Sequence, residues 1–280
     1  VIMMTDDKVK RIGRTYIYKD ILWCALSGTG IECRFKGKEA EVTIVGDNIA
    51  VSDKEEGNYA RIGIYINDEL IVKSMIQEKE MTFKVFESDE SKDVTLRVIK
   101  LSESPMSTIG IKSIEIVTED GIKPVKKRDK YIEFIGDSIT CGYGIDDEDP
   151  EHGFTTATED VTKAYAYKAA KELDAEYSMV SYSGYGIISG YTGDEKEQNT
   201  KEILPKFYEK IGYSQGYFGG DLEPESLRWD FENNQPDLIV INLGTNDYSY
   251  CKENQYKRKE FTKRYEEFLK AVRENNPQSN

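Results

Sequence analysis

The sequence predicts two domains: an all-β sandwich of jelly-roll type, then an α/β domain built on a parallel, doubly wound sheet. Three observations carry this. Up to about residue 120, apolar residues recur with period two. Beyond residue 130, continuous apolar runs alternate with apolar residues spaced every three or four positions. Between them lies a polar stretch that contains a proline. Period two marks half-buried antiparallel strands, whereas strands alternating with helices require a parallel sheet. At 280 residues the chain is long for one domain, and the division falls at 1–125 and 126–280.

In the first domain Val42 and Ile44 alternate with polar neighbours, as do Ile62, Ile64 and Ile66, then Met81, Phe83 and Val85, then Val94, Leu96 and Val98. Asn67-Asp68 separates two such runs and reads as a tight hairpin turn. Short strands at this spacing suit a sandwich. Asp120–Lys130 reads as the linker. The second domain offers three strands at Tyr131–Ile135, Tyr177–Tyr182 and Leu238–Leu243. Val161, Tyr165, Ala169 and Leu173 share one helix face, and Thr158-Glu159-Asp160 supplies an oxygen cap and early acids for its start. Phe261, Tyr265, Phe268, Leu269 and Val272 share the face of a later helix. Lys201–Phe231 reads as a helix and loop beside the sheet edge.

Composition narrows the partners. With 52 acidic against 38 basic residues the formal charge is −14, which argues against nucleic acid or an anionic membrane, since both need a basic face. A neutral substrate fits better. Cys24, Cys33, Cys141 and Cys251 show no Cys-x-x-Cys spacing and no pairing with histidine, so a structural zinc site is not expected and buried free thiols are. No apolar run approaches a membrane span and no leader pattern opens the chain. Cytoplasmic and secreted locations both stay open, as does a homo-oligomer.

The chemistry sits where each apolar strand stops. Gly136-Asp137-Ser138 follows the first, Ser183-Gly184-Tyr185-Gly186 the second and Gly244-Thr245-Asn246-Asp247 the third. In a parallel sheet these carboxyl ends share one edge, so the clusters converge on one crevice. A hydroxyl nucleophile, a glycine loop with free amides and a side-chain amide are the set that acyl transfer needs, because the oxyanion must meet prearranged N–H groups. Tyr185, Tyr191 and Trp229 offer flat faces for sugar rings. Asp137 and Asp247 read as braces of their turns rather than proton carriers.

At these residues the chain resembles the SGNH (GDSL-like) hydrolases. The run Gly-Asp-Ser-Ile-Thr-Cys-Gly-Tyr-Gly at 136–144, then Thr158-Glu159-Asp160, then Ser183-Gly184-Tyr185-Gly186, behind an amino-terminal β-sandwich, is similar to carbohydrate esterase family 2, the acetyl xylan esterase type. The resemblance implies a serine esterase that removes acetyl groups from xylan or another plant glycan through an acetyl-serine intermediate, sugar 6-O-acetyl esters being a favoured target. It maps the nucleophile to Ser138, and the oxyanion donors to the Ser138 N–H, the Gly184 N–H and the Asn246 amide. An acetylated oligo- or polysaccharide is the implied partner. No cofactor is implied.

One departure matters. The resemblance places the general base, a histidine, after a further strand and helix, and His152 is the sole histidine here. A serine hydroxyl without a base is a weak nucleophile. His152 lies in the acidic loop 146–153 and reads as a surface residue. The expectation is therefore that the second domain is cut short and that its histidine lies beyond residue 280. Two rivals remain: a lipase- or thioesterase-type acyl preference, and a glycan-binding protein that has lost catalysis.

Overall fold

The computed structural model describes residues 1–4, 7–52 and 58–280. The first nine strands are β1 Ile2–Met3, β2 Lys10–Ile12, β3 Thr15–Tyr18, β4 Ile21–Cys24, β5 Gly30–Gly46, β6 Ala60–Ile66, β7 Glu69–Ile76, β8 Glu80–Lys100 and β9 Ile109–Pro124. All their pairings are antiparallel. The path runs β3-β4-β9-β5-β8-β6-β7, with β1 added to β9 and β2 to β5. Alternation does what it predicts. Val42, Ile44, Ile62, Ile64, Leu96 and Val98 are fully buried in a single core. Asn67 and Asp68 both take positive φ, 50° and 68°, the turn whose twist matches paired strands.

Two expectations need correction. Three strands are long rather than short, β5, β8 and β9 spanning 17, 21 and 16 residues. Register shifts in their pairing let them bend around the core. The supposed linker is also shorter. Ile122, Lys123 and Pro124 still pair with Phe35, Arg34 and Cys33, so only residues 125–129 connect the halves. Proline ends this strand, where its missing N–H costs least.

The second half holds β10 Lys130–Gly136, β11 Ala175–Ser181 and β12 Leu238–Asn242, with α1 Ser138–Cys141, α2 Tyr165–Glu172, α3 Thr245–Cys251 and α4 Gln255–Asn275. The strands are parallel in the order β11-β10-β12, so the chain reverses its direction of winding at β10. Side chains alternate across this sheet. Ile132, Phe134 and Met179 pack towards α2, while Ile135 and Val180 pack with Phe268 and Val272 of α4. Helices on both faces are what a doubly wound sheet requires. Asn280 donates to the Asp237 carbonyl and accepts from Ile239 N–H, each at 2.9 Å, which is a parallel bridge on the outer edge of β12.

Helix details differ from the sequence pattern. Asp160, not Thr158, caps the turn at Val161–Lys163, and α2 begins only at Tyr165. Leu173 and Leu269, assigned to buried faces, are 47% and 42% exposed. Lys201–Phe231 forms no α-helix; it holds two short 3-10 turns, and Tyr208, Phe218 and Phe231 lie in the core instead.

The halves interlock through polar side chains. Arg14, wholly buried, donates to the carbonyls of Tyr208 and Lys210 and to both oxygens of Glu133 at 3.2–3.3 Å. Asp146 gathers Arg61 of β6 at 2.7 Å, Lys73 of β7 at 2.6 Å, and Lys163. Burial pushes the Asp146 carboxyl up, but the hydrogen bonds from Lys163, Lys73 and Arg61 outweigh it and hold the group well below the usual carboxylate range. A depressed folded pKa adds stability above the unfolded value, and this is lost as pH falls through about 4 and below. Asp146→Asn is therefore expected to lower denaturant stability at pH 7, with a deficit that begins to shrink below about pH 4 and is only partly lost at pH 3. An equal deficit at both pH values would contradict the assignment.

Candidate active site

Gly136, the last residue of β10, lies opposite Ser181 of β11 and Asn242 of β12. Neighbouring strands stand about 4.8 Å apart, so the three clusters leave the sheet at one level, at the point where the winding reverses. Open α/β sheets place ligands there.

Ser138 opens α1 directly after the strand. Asp137 caps this helix, accepting the Ile139 N–H at 3.1 Å, and is buried. Burial pushes its carboxyl up, opposed by these backbone amides. Gly136 allows the sharp exit, because a Cβ there would lie 2.0 Å from the Thr140 hydroxyl oxygen. Ser138 is half-buried. Among the described residues its N–H donates to no protein acceptor, as expected for the first turn of a helix.

Gly184 takes φ +81°, a conformation that disfavours any side chain. Its carbonyl accepts the Tyr191 N–H at 2.7 Å, and among the described residues its own N–H is unspent. Asn246, 7% exposed, donates from Nδ2 to the Tyr185 carbonyl at 2.8 Å, which ties the third cluster to the second and leaves one amide hydrogen available. Asp247 braces the same loop. Its carboxylate accepts the N–H groups of Ile187, Ile188 and Ser189 at 2.7–3.1 Å. Burial raises its pKa, and those three amides oppose the rise. It is fully engaged as an acceptor, in keeping with a brace.

Of the three aromatic candidates, Tyr185 and Trp229 pack against other side chains. Tyr185 is 4% exposed and stacks on Tyr182, with ring centroids 4.9 Å apart. Its face is spent in the core, because the turn at 182–185 folds the ring inward. Trp229 packs beside Arg14, 5.5 Å from the guanidinium, and borders a surface cavity with Gln235 and Asn275. That cavity lies towards the start of β12, away from the carboxyl ends. Tyr191, by contrast, is 63% exposed and hydrogen-bonded to Gly184. Pattern reading missed a further aromatic pair, Tyr143 and Phe154, whose ring centroids are 5.3 Å apart. Tyr143 donates its N–H to the Ser138 carbonyl, a closeness that its place in the 136–144 run already signals.

His152 is an exposed loop residue, paired with Asp147 at 3.0 Å and Asp149 at 3.4 Å. Among the described residues one group has ligand atoms close enough to hold a metal ion: Glu103, Cys141 and Glu159, all buried. The neighbouring Lys100 ammonium, buried and donating to the Ser102 and Glu103 carbonyls, already provides a cation. This donor set does not fit a metal.

A serine at a strand–helix junction, a glycine amide and an asparagine at the next two strand ends are the arrangement of an SGNH-type hydrolase. The chain belongs to the GDSL-like lipase/acylhydrolase family, whose model matches residues 132–280, and residues 11–125 match the carbohydrate esterase 2 N-terminal domain. It is 28% identical over 254 residues to a cellulase/esterase of Acetivibrio thermocellus, covering 91% of this chain and 28% of that protein. To an acetylxylan esterase / glucomannan deacetylase of Cellvibrio japonicus it is 24% identical, covering 99% of this chain and 71% of the other. Among solved structures, an acetyl xylan esterase of the rumen bacterium Butyrivibrio proteoclasticus shares the fold with a TM-score of 0.85 at 24% identity, covering 98% of this chain and 77% of that one.

Proposed function

We propose that this chain belongs to a serine esterase that removes acetyl groups from acetylated oligo- or polysaccharide, xylan or another plant glycan. The observation that supports this most directly is the convergence of a half-buried Ser138 with two unspent amides and the Asn246 side chain at one sheet edge. In this reading the Ser138 oxygen attacks the acetyl carbonyl. The Ser138 N–H, Gly184 N–H and Asn246 amide take up the negative charge. The departing sugar hydroxyl receives the serine proton through a base, and water then hydrolyses the acetyl-serine. The sole histidine among residues 1–280, His152, is exposed and engaged by Asp147 and Asp149, so in this reading it is not the base and the base is a histidine outside this segment.

The substrate class rests on the rim. Of Tyr185, Tyr191 and Trp229, Tyr191 is the one left exposed to stack on a sugar, and Tyr143 with Phe154 offers a second aromatic pair on the turn that follows Ser138. Relatives named acetylxylan esterase / glucomannan deacetylase favour the same substrates. The test is a comparison on the full-length protein. It is expected to release acetate from acetylated xylo-oligosaccharides and to hydrolyse an aryl acetate at least about tenfold faster than the octanoate. Faster turnover of the octanoate would favour a lipase.

A further inference from the structure

The glycine loop is held from two sides by buried carboxyl groups, and one of them comes from the β-domain. Asp247 holds residues 187–189. Towards the loop's start, Glu103, in the segment between β8 and β9, is wholly buried. One of its oxygens accepts the Ser183 N–H at 3.1 Å, and the other accepts the Ser183 hydroxyl. Ser183 immediately precedes Gly184, so these two bonds anchor the residue that leads into the Gly184 N–H.

What surrounds Glu103 shows how a carboxylate is kept in place there. Lys100, also buried, donates from Nζ to the carbonyls of Ser102 at 2.9 Å and Glu103 at 2.7 Å. Glu159 is wholly buried, and among the described residues neither of its carboxyl oxygens receives an N–H or O–H. The ligand atoms of Glu103, Glu159 and Cys141 of α1 lie within 4.8 Å of one another. Two carboxyl groups this close do not both ionise in a buried site. A bare Glu159 carboxylate would also be costly to bury. Glu159 therefore stays a neutral acid with a hydrogen to give to Glu103, and burial with the nearby Glu103 charge pushes it well above the usual range. Burial pushes the Glu103 carboxyl up, opposed by hydrogen bonds from Glu159 and Ser183 and by the nearby Lys100.

We propose that Glu103 is a positioning residue: it is supplied by the β-domain, held by the neutral acid of Glu159, and orients the Gly184 amide for the oxyanion. The inference rests on the esterase reading. It gives the β-domain a part in catalysis that is separate from any binding of glycan.

Two variants of the full-length protein test it. Glu103→Gln keeps an acceptor for the Ser183 N–H, whereas Glu103→Ala keeps none. Turnover of an aryl acetate per folded molecule is expected to fall about tenfold in Glu103→Gln and about 100-fold in Glu103→Ala, with KM changed less than about twofold in each. Amide hydrogen exchange across residues 183–186 is expected to quicken at least about tenfold in Glu103→Ala and less in Glu103→Gln. Unchanged kcat together with unchanged exchange in both variants would overturn the proposal, as would equal losses in the two at equal folded fraction. Exchange does not depend on turnover. A wild-type protein that releases no acetate, yet shows the graded exchange, would sink the esterase reading and leave the loop's anchor standing.

Discussion

Ser138→Ala in the full-length protein is expected to lower kcat for an aryl acetate by about 10⁴-fold or more, with little change in melting temperature. Serine hydrolases that lose the nucleophile forfeit the covalent path and keep only the residual acceleration from oxyanion donors and binding. Removing one donor costs less, so Asn246→Ala is expected to lose about 10²–10³-fold. The folding side is mild for Ser138. Its side chain is half-buried and among the described residues makes no hydrogen bond, while the helix cap is Asp137. Asn246 differs, because its amide also holds the Tyr185 carbonyl. Turnover in Ser138→Ala equal to wild type would end the nucleophile assignment. A fluorophosphonate probe gives a second reading, with labelling expected at Ser138 in wild type and none in the variant.

Arg14→Ala is expected to cost about 3–5 kcal/mol of stability. Arg14 leaves the β-domain between β2 and β3 and reaches Glu133 in the central parallel strand. Its guanidinium also stands 5.1 Å from the Tyr208 ring and 5.2 Å from the Phe231 ring. Truncation leaves the Glu133 carboxylate, 1% exposed, without its countercharge, keeping only the Tyr208 hydroxyl at 3.0 Å. It also strips the Tyr208 and Lys210 carbonyls of their donor. Denaturant unfolding followed by two probes would report this, and separation of one transition into two is the expected signature. A loss below about 1 kcal/mol would show that the pair is worth no more than a surface ion pair.

The strand-end clusters were legible because each hangs on a feature with period or punctuation. Tyr131–Ile135 is a continuous apolar run and Gly136 a hard stop, so Ser138 is located by counting. Gly184 and Asn246 follow by the same rule from their own strands. Tyr185 and Trp229 were misread because residues 183–237 have almost no periodicity, and nothing local distinguishes an inward tyrosine from the outward Tyr191. Long strands escaped for a related reason: a bulge interrupts alternation and looks like a strand's end, as at 119–121. Lys100 and Glu103 were invisible, and Glu159 was read as an acid at a helix start, for a different cause. Charged residues default to the surface, and only the meeting of two domains buries these.

The four thiols are all free and nearly or wholly enclosed. Burial pushes Cys24 and Cys33 up to about 12 and raises Cys141 and Cys251 as well, so the reactive thiolate is scarce while the fold stays closed. Among the described residues no cystine staples either half. Two thiols sit in the β-domain and two in the α/β domain, giving each its own internal alarm: an alkylating agent reaches a sulfur only once that half has breathed open.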